Sequence, residues 1–379
     1  MNASGTLIDT EEQQLLRSAA RELVATRAPL AASPGRRVGD EGLDGDRRLW
    51  HDLAELGWVG ITLPPEHGGS GGTLGDLAVI LDALGGTLCA TPFISTVVLG
   101  GGLIRSLGSV AQRDALIPAI ANGSVTVAVA FQDGDHLDGD RNGTIVTPVG
   151  GGRWKIRGAK RLVLDGPSAD QLLVTARTVE GFGAFLLPIA TEGLTVRPRR
   201  LIDQQLVADV TLADVIVDPS ALLGDPGSAG VAVEQALDAA TVALCCEMLG
   251  STRSVFELTV QYLKDRRQFG VPIGSFQALQ HRAATMHCEI ELAHSLVREA
   301  VDAVDNDRSD RAALASAAKA MMNDLFLRVS SESIQLHGGM GMTHEAAPGL
   351  YLKRARVTAA LLGDSGYHRR RFARLLQTH

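Results

Sequence analysis

The chain has 379 residues, 45% of them hydrophobic, which is enough for a large core and more than one domain. Its formal net charge is −7 without a long basic run, which argues against a nucleic-acid partner. Charged residues are spread through residues 1–30, so we expect neither a signal peptide nor a membrane span there, and a cytoplasmic protein without a membrane partner. The four cysteines lack the paired spacing of a tetrahedral metal site, and no metal is predicted.

The first 122 residues have the pattern of an all-helical domain. Asp9 and Thr10 precede acidic and amide residues, as at a helix N-terminus, and apolar residues then recur at helical spacing. Further helices are predicted over residues 49–56, 75–88 and 92–107. We therefore assign residues 1–122 to an N-terminal helical domain.

The hydrophobic period changes at residue 123. Val125, Val127, Val129 and Phe131 alternate with small residues, and short strands then recur about every ten residues as far as residue 217. Such spacing is typical of an antiparallel β-barrel or sandwich. Residues 123–226 form the predicted middle β-domain, which ends in a Gly/Pro linker.

Residues 227–379 return to helical periodicity. Long helices are predicted over residues 230–266, 275–305, 310–337 and 346–361, with a tail helix from Tyr367. No heptad register persists, which favours a four-helix bundle over a coiled coil. The predicted fold class is α+β multidomain, with an N-terminal helical domain, a middle β-domain and a C-terminal four-helix bundle.

A short break between two bundle helices carries a distinctive set of side chains. Residues 261–282 read QYLKDRRQFGVPIGSFQALQHR, and Ser275 is the predicted N-cap of the helix that follows the break. Arg266, Gln268 and Phe269 stand just before the break. A guanidinium fork bonds phosphate oxygens in pairs and an aromatic ring offers a stacking face, so the set suits a nucleotide diphosphate. The same residues also fit a solvated helix end with one core aromatic.

A second motif, QLHGGMGMT, covers residues 335–343. Gly338 and Gly339 follow a helical run and let backbone N–H groups approach a phosphate closely. Together, RxQFGxPIGxFQ followed by QxHGGxG resembles the C-terminal domain of the flavin-dependent acyl-CoA dehydrogenases. The pattern GxKxxVxDG at residues 158–166 is similar to the strand of that family that lies along the flavin ring.

The resemblance implies an acyl-CoA thioester bound against FAD, with electrons passed on to an electron-transfer flavoprotein. It also implies that Arg266, Gln268 and Phe269 hold the diphosphate and adenosine part of FAD, as the matching family residues do. Gln335, Gly338 and Gly339 match residues that a neighbouring subunit contributes. The expected assembly is a homotetramer, or a heterotetramer with a related subunit.

Two flavin-ring contacts of the family are altered in the middle domain. Many members have a TEPxxGSD-like loop where this chain has Gln132-Asp133-Gly134-Asp135, and Leu164 replaces a common threonine. The side-chain contacts to the flavin ring are therefore not assigned.

The catalytic base also departs from the family pattern. Many members carry a Glu before the last helix, where a gapless match places Leu362, which cannot take a proton. Asp364 lies two positions further on and is better suited to cap that helix. Other members carry the base on the first bundle helix, at a position that Ala240 occupies here.

Glu247 lies about two turns beyond that position, as a lone charge in an apolar stretch. Burial disfavours a charged carboxylate and should raise the pKa of Glu247 toward the range useful for a base. Related bacterial enzymes carry a Glu in a similar context, and we predict Glu247 as the base. The alternative is an exposed stripe that Glu247 shares with Ser251 and Ser254.

Two other functions remain open at this point. The chain could be a non-catalytic partner subunit of a heterotetrameric acyl-CoA dehydrogenase, although such a subunit has no chemical need for Arg266, Gln335 and Glu247. It could also share the fold but act as a flavin oxidase or monooxygenase.

Overall fold

The computed structural model describes residues 9–28, 30, 42–137, 143–343 and 346–377, with the backbone alone for residues 42–47. Residues 1–8, part of the stretch for which no signal peptide is predicted, lie outside this description. The chain packs as two compact units, one of Met1–Asp40, Leu74–Ala90 and Thr241–His379, the other of Glu41–Thr73 and Thr91–Ala240. The domain boundaries at residues 122 and 226 stay predictions.

Helices occupy both ends of the described sequence and strands occupy its middle, apart from the short strands β9 and β10 between α6 and α7. The α-helices are α1 (Glu11–Arg27), α2 (Gly42–Glu55), α3 (Leu74–Gly86), α4 (Gly102–Leu107), α5 (Val110–Ala121), α6 (Ala229–Asp265), α7 (Gln277–Asp305), α8 (Arg311–His337), α9 (Pro348–Thr358) and α10 (Ser365–Gln377). The strands are β1 (Val127–Ala130), β2 (Ile145–Gly150), β3 (Arg153–Leu164), β4 (Gln171–Arg177), β5 (Phe182–Pro188), β6 (Leu194–Arg200), β7 (Leu206–Val217), β8 (Leu222–Leu223), β9 (Arg267–Gln268) and β10 (Val271–Pro272). This order confirms the predicted α+β class.

The middle strands form one mixed sheet and not a closed antiparallel barrel. Their order is β6-β7-β3-β2-β4-β5-β8, and β1 pairs with β4 in parallel. The β2–β3 hairpin lies between β1 and β4 in the chain and supplies the long crossover that a parallel pair needs. Short-strand spacing predicted the sheet, but it carries no information about this crossover.

The helix ends test three predicted caps. Thr10 caps α1 in a capping box with Gln13, as predicted. Asp364 caps α10, since its Oδ1 accepts the Tyr367 N–H at 2.7 Å. The prediction for Ser275 is wrong: a 3₁₀ turn over Ile273–Ser275 precedes α7, and the Ser275 hydroxyl donates to the Pro272 carbonyl at 2.7 Å instead.

Helices α3 and α6 touch backbone to backbone. A Cβ on Gly85 would overlap the carbonyl of Glu247, and a Cβ on Gly250 would overlap the carbonyl of Asp82. The Ser251 hydroxyl donates to the Gly85 carbonyl at 2.8 Å across the same contact. Glycine at both points therefore sets how closely the two helices approach.

Helix α6 is long and apolar enough, by length and composition, to cross a membrane, and it is the one described helix that is. Of the apolar 18-residue stretch of α6 that meets this criterion, 61% is buried inside the protein. Such burial is also found in the core helices of globular domains, so the hydropathy of α6 has an explanation within the fold.

Two buried titratable side chains hold the connection between α9 and α10. Burial lowers the pKa of Lys319 to about 8, and its Nζ donates to Asn323 Oδ1 at 2.6 Å, the Thr358 carbonyl at 2.9 Å and the Gly363 carbonyl at 3.1 Å. Burial also lowers the pKa of His368 to about 4, so the neutral ring donates from Nε2 to the Leu362 carbonyl at 2.8 Å. The backbone at Leu362 is thus fixed by side-chain donors on α8 and α10.

The α3–α6 contact predicts opposite effects of Ala at two glycines of one helix. We expect Gly250→Ala to destabilise the protein by about 1–3 kcal/mol, because the new methyl group must push α3 away. Gly230→Ala, also on α6, meets nothing within 4 Å and should be neutral or slightly stabilising. Urea unfolding of both variants measures the difference, and equal stabilities would contradict the close contact.

His368 predicts a specific loss of stability in acid. Below pH 6.5 the unfolded His368 takes up a proton that the folded ring, with its pKa of about 4, does not. Its contribution is therefore lost as the pH falls from 6.5 to 4, by about 2–3 kcal/mol near pH 4.5. His368→Gln keeps a donor and should reduce this loss in urea unfolding at pH 7 and 4.5, whereas exposed His287→Gln should not. Parallel behaviour of both variants would refute the buried neutral ring.

Candidate active site

The predicted break between α6 and α7 is a short β-hairpin with a two-residue turn. Strands β9 and β10 pair antiparallel, and the turn residues Phe269 and Gly270 have φ values of 55° and 82°. Positive φ at both positions is the signature of a type I′ turn. The left-handed Phe269 presents its ring outward, 92% exposed, next to Arg266 and Gln268, which are exposed as well.

The second motif ends α8 in a backbone conformation that requires glycine. Gly338 has φ 61° and ψ −140°, which an L-residue rarely adopts. A Cβ on Gly338 or Gly339 would meet nothing within 4 Å, so the requirement comes from the backbone and leaves open space above it. Gln335 is exposed one turn earlier on α8.

An aromatic contact joins the two motifs within one chain. The rings of Tyr262 and His337 stack with centroids 4.2 Å apart, and the Tyr262 hydroxyl donates to the His337 carbonyl at 3.3 Å. Burial lowers the pKa of His337, so the neutral ring donates from Nδ1 to the Ser333 carbonyl at 2.7 Å. Both motifs therefore lie at one end of the C-terminal helices, and a single subunit can present them together.

This end of the bundle fits the phosphate and adenosine part of FAD by its donor chemistry. The side chains of Arg266 and Gln335 have no hydrogen-bond partner among the described residues, and both are exposed. A guanidinium and an amide beside open glycine backbone are donors suited to a diphosphate, and the Phe269 ring is available for stacking. Met342, 79% exposed, adds apolar surface next to the glycines.

Glu247 lies where α3, α6 and α9 meet. It is 9% exposed, and Arg354 of α9 contacts its Oε1 through both Nε, at 3.1 Å, and Nη2. Glu247 is the lone charge of its apolar stretch on α6, but Arg354 supplies an opposite charge from 107 positions away. The alternative of an exposed stripe is wrong, since Ser251 is fully buried.

The other carboxylate considered as a base is differently placed. Asp364 is exposed, and its Oδ1 is engaged in capping α10. Leu362, which occupies the position of the family's usual base, is buried at 3% exposure. Among these positions, Glu247 alone combines burial with a carboxylate.

The altered loop of the middle sheet is tied down by a buried ion pair that sequence reasoning missed. Lys160 Nζ lies 2.8 Å from Asp133 Oδ1, which also accepts the Thr144 hydroxyl at 2.6 Å. Burial lowers the pKa of Lys160, and the Asp133 charge opposes this shift. Lys160 belongs to the GxK part of the predicted strand, now β3, while Leu164 ends that strand. The distance in sequence between Asp133 and Lys160 left no local signal for their pairing.

Comparisons with known proteins agree with this fold. Residues 10–124 match the acyl-CoA dehydrogenase N-terminal domain and residues 229–377 its C-terminal domain. Acyl-CoA dehydrogenase IpdE2 of Mycobacterium tuberculosis is 32% identical, over 93% of each chain. A solved variant of the Tcur3481-Tcur3483 steroid ACAD is 30% identical with a TM-score of 0.86, covering 97% of this chain and 98% of that one. A chain of the Mycobacterium tuberculosis ChsE4-ChsE5 complex, 24% identical, shares the fold with a TM-score of 0.89 over 99% and 100%.

The fold and the matched regions define a flavin-dependent oxidoreductase that acts on the CH–CH bond of an acyl-CoA. The chain belongs to the acyl-CoA dehydrogenase family, and FAD is the cofactor of that family. The resemblance seen in the sequence is thereby confirmed. The roles of the individual site residues stay predictions.

The exposed guanidinium of Arg266 predicts a specific loss of FAD affinity. We expect Arg266→Gln to weaken FAD binding about 10–100-fold, since it removes charge-assisted hydrogen bonds to a phosphate. Lys264→Gln changes an exposed cation in the last turn of α6, two positions before Arg266, and should leave the affinity unchanged. Fluorescence titration of FAD into the deflavinated proteins measures both. Equal affinities in the two variants would exclude the β9–β10 hairpin from the diphosphate site.

Proposed function

We propose that the protein removes hydrogen from Cα and Cβ of an acyl-CoA thioester to give a 2,3-enoyl-CoA, with electrons passing to an electron-transfer flavoprotein. The observation that carries this proposal is the geometry of Glu247. Arg354 engages its Oε1 twice, while its Oε2 has no hydrogen bond among the described residues. A buried carboxylate with one anchored and one uncommitted oxygen is suited to accept a proton at a defined point.

The chain's residues divide the work between two places. Glu247 Oε2 takes the α-proton and so becomes a neutral carboxylic acid, which leaves the electron pair for the new double bond. Arg266, Gln268 and Phe269 hold the diphosphate and adenosine part of FAD, together with Gln335, Gly338 and Gly339. FAD, when bound, supplies the acceptor for the hydride that leaves Cβ. Because the chain binds and orients the thioester and FAD together, the proton and the hydride are removed within one bound complex.

The proposed substrates are CoA thioesters of steroid side chains or of other branched acids. Support comes from the steroid ACAD that is 30% identical to this chain over nearly its whole length. The replacement of the family's usual base position by buried Leu362 is in keeping with a departure from the straight-chain enzymes.

The proposed assembly is a homotetramer, or a heterotetramer with a related subunit, in the cytoplasm. The exposed Phe269 and Met342 support burial of this surface against FAD or a neighbour. The ChsE4-ChsE5 complex supports the heteromeric form, because one of its chains shares the fold. In either form, the end of one chain that carries Arg266, Gln335, Gly338 and Gly339 contacts the FAD of a neighbouring subunit.

Glu247→Gln tests the base. The amide cannot take a proton, so we expect anaerobic bleaching of the bound flavin by acyl-CoA thioesters to slow by at least about 1,000-fold, while the FAD content stays that of the wild type. Asp364→Asn is the matched control and should keep the rate within a few-fold. The thioester panel includes straight-chain, branched and steroid side-chain members.

The outcomes separate the competing functions. Rapid bleaching in Glu247→Gln removes this residue from the chemistry, and loss of bleaching in Asp364→Asn assigns the base to Asp364. A colourless wild-type protein that binds no FAD on its own, and regains it with a related subunit, supports the partner-subunit function. Oxygen consumption without another electron acceptor would reveal an oxidase.

A further inference from the structure

We infer that Arg354 is a positioning residue for Glu247, which it holds by one oxygen so that the other faces the α-proton. The inference rests on the proposed function, because it matters for the reaction only if Glu247 is the base. Arg354 does not itself touch substrate, and its effect on the reaction passes through the Glu247 carboxylate.

The mode of contact is unusual for an ion pair that only stabilises a fold. An arginine gains most from a carboxylate when two N–H groups bond to two oxygens in parallel. Here Nε and Nη2 both reach Oε1, and Oε2 has no hydrogen bond among the described residues. The pair therefore anchors the carboxylate at Oε1 and leaves Oε2 uncommitted among the described residues.

The arginine is itself held in place by the packing of α9. Its side chain is 6% exposed, and the Thr358 hydroxyl donates to its backbone carbonyl at 3.0 Å one turn further along. One turn before it, the buried Tyr351 donates its hydroxyl to the Gly86 carbonyl of α3 at 2.6 Å. Helix α9 is thereby fixed to α3, the helix that also touches the backbone of Glu247.

Glu247 has little freedom on its own side of the pair. The close contact with Gly85 places the Glu247 backbone against α3, and its carbonyl accepts the Ser251 hydroxyl at 3.1 Å. The remaining freedom is rotation of the side chain. Arg354 restrains that rotation from a separate helix by anchoring Oε1, which is what positioning by a second residue requires.

The test measures proton removal without oxidation. In 3-thia acyl-CoA analogues a sulfur replaces the β-carbon, so no β-hydride can leave, while the α-proton can still exchange with D₂O. Mass spectrometry of 3-thiaoctanoyl-CoA and of a 3-thia steroid side-chain CoA follows deuterium uptake on the FAD-bound protein. The variants are Glu247→Gln, Arg354→Gln, Arg354→Lys and, as a matched control, Arg356→Gln, an exposed arginine of the same helix. Melting temperature and analogue affinity are measured for each.

We expect Arg354→Gln to slow exchange about 100-fold, because a small misplacement of a catalytic group has effects of this size. Arg354→Lys keeps the charge but lacks the planar fork, and it should recover part of the rate together with the melting temperature. Arg356→Gln should exchange like the wild type. Analogue affinity should stay within about threefold in all variants, which places the effect on the rate and not on binding.

Two results would overturn the inference, and they differ. If Arg354→Lys folds with a wild-type melting temperature and exchanges at the wild-type rate while Glu247→Gln does not, the fork geometry is not needed and Arg354 only balances charge. If Glu247→Gln exchanges at the wild-type rate, the proposed base is wrong and the positioning role ends with it. The lysine variant keeps the test decisive if Arg354→Gln does not fold, because it leaves no unpaired buried charge.

Discussion

The backbone contact between α3 and α6 is the constraint on which the candidate base depends. Side chains larger than hydrogen at Gly85 or Gly250 would separate the helices at the level of Glu247. An ion pair joins the same two helices, since Asp82 of α3 pairs with Arg253 of α6 at 3.0 Å, and Asp82 also pairs with Arg17 of α1 at 2.6 Å. The contact is therefore set by glycine and maintained by an ion pair, and Glu247 is placed as a consequence.

The three buried cations of the described residues show different solutions to the same physical problem. A charge removed from water loses solvation and must recover it from local partners. Lys319 recovers it from two backbone carbonyls and an amide oxygen, while Lys160 has a carboxylate partner in Asp133. Arg354 also faces a carboxylate, that of Glu247, whose Oε2 has no hydrogen bond among the described residues. A buried ion pair contributes little net stability over an apolar pair, so the uncommitted oxygen is in keeping with the proposed use of Glu247 as the base.

Local signals made much of the fold predictable from the sequence. The capping box at Thr10, the hydrophobic spacing of the long helices and the Gly-containing break after Phe269 depend only on neighbours in the chain. The exposed set around Arg266 was found for the same reason, since its members adjoin in sequence. The prediction that Ser275 caps α7 failed because a 3₁₀ turn, which has no distinct periodicity, occupies the residues before α7.

The remaining features involve residues far apart in the chain. The partners Glu247 and Arg354 are 107 positions apart, and Tyr262 and His337 are 75 apart, so neither pairing leaves a periodic trace. The burial of Glu247 was predicted, but its environment was not, because a single apolar stretch shows one helix and not the helices that pack on it. The parallel pairing of β1 with β4 escaped prediction in the same way.

Helix α6 connects the candidate base to the proposed FAD-binding end of the chain and holds the two apart. Glu247 lies on this helix and Arg266 just beyond its end. The two are 19 positions apart, which corresponds to about 28 Å along the helix axis. A rigid helix holds that spacing constant, so the proposed base and the proposed phosphate donors cannot approach each other by side-chain motion. The end that carries Arg266 also carries the exposed Phe269 and Met342, a surface that an isolated subunit would leave in water. In the proposed assembly, FAD held against a second subunit would cover this exposed end of one chain, and Glu247 of the other chain would complete the site.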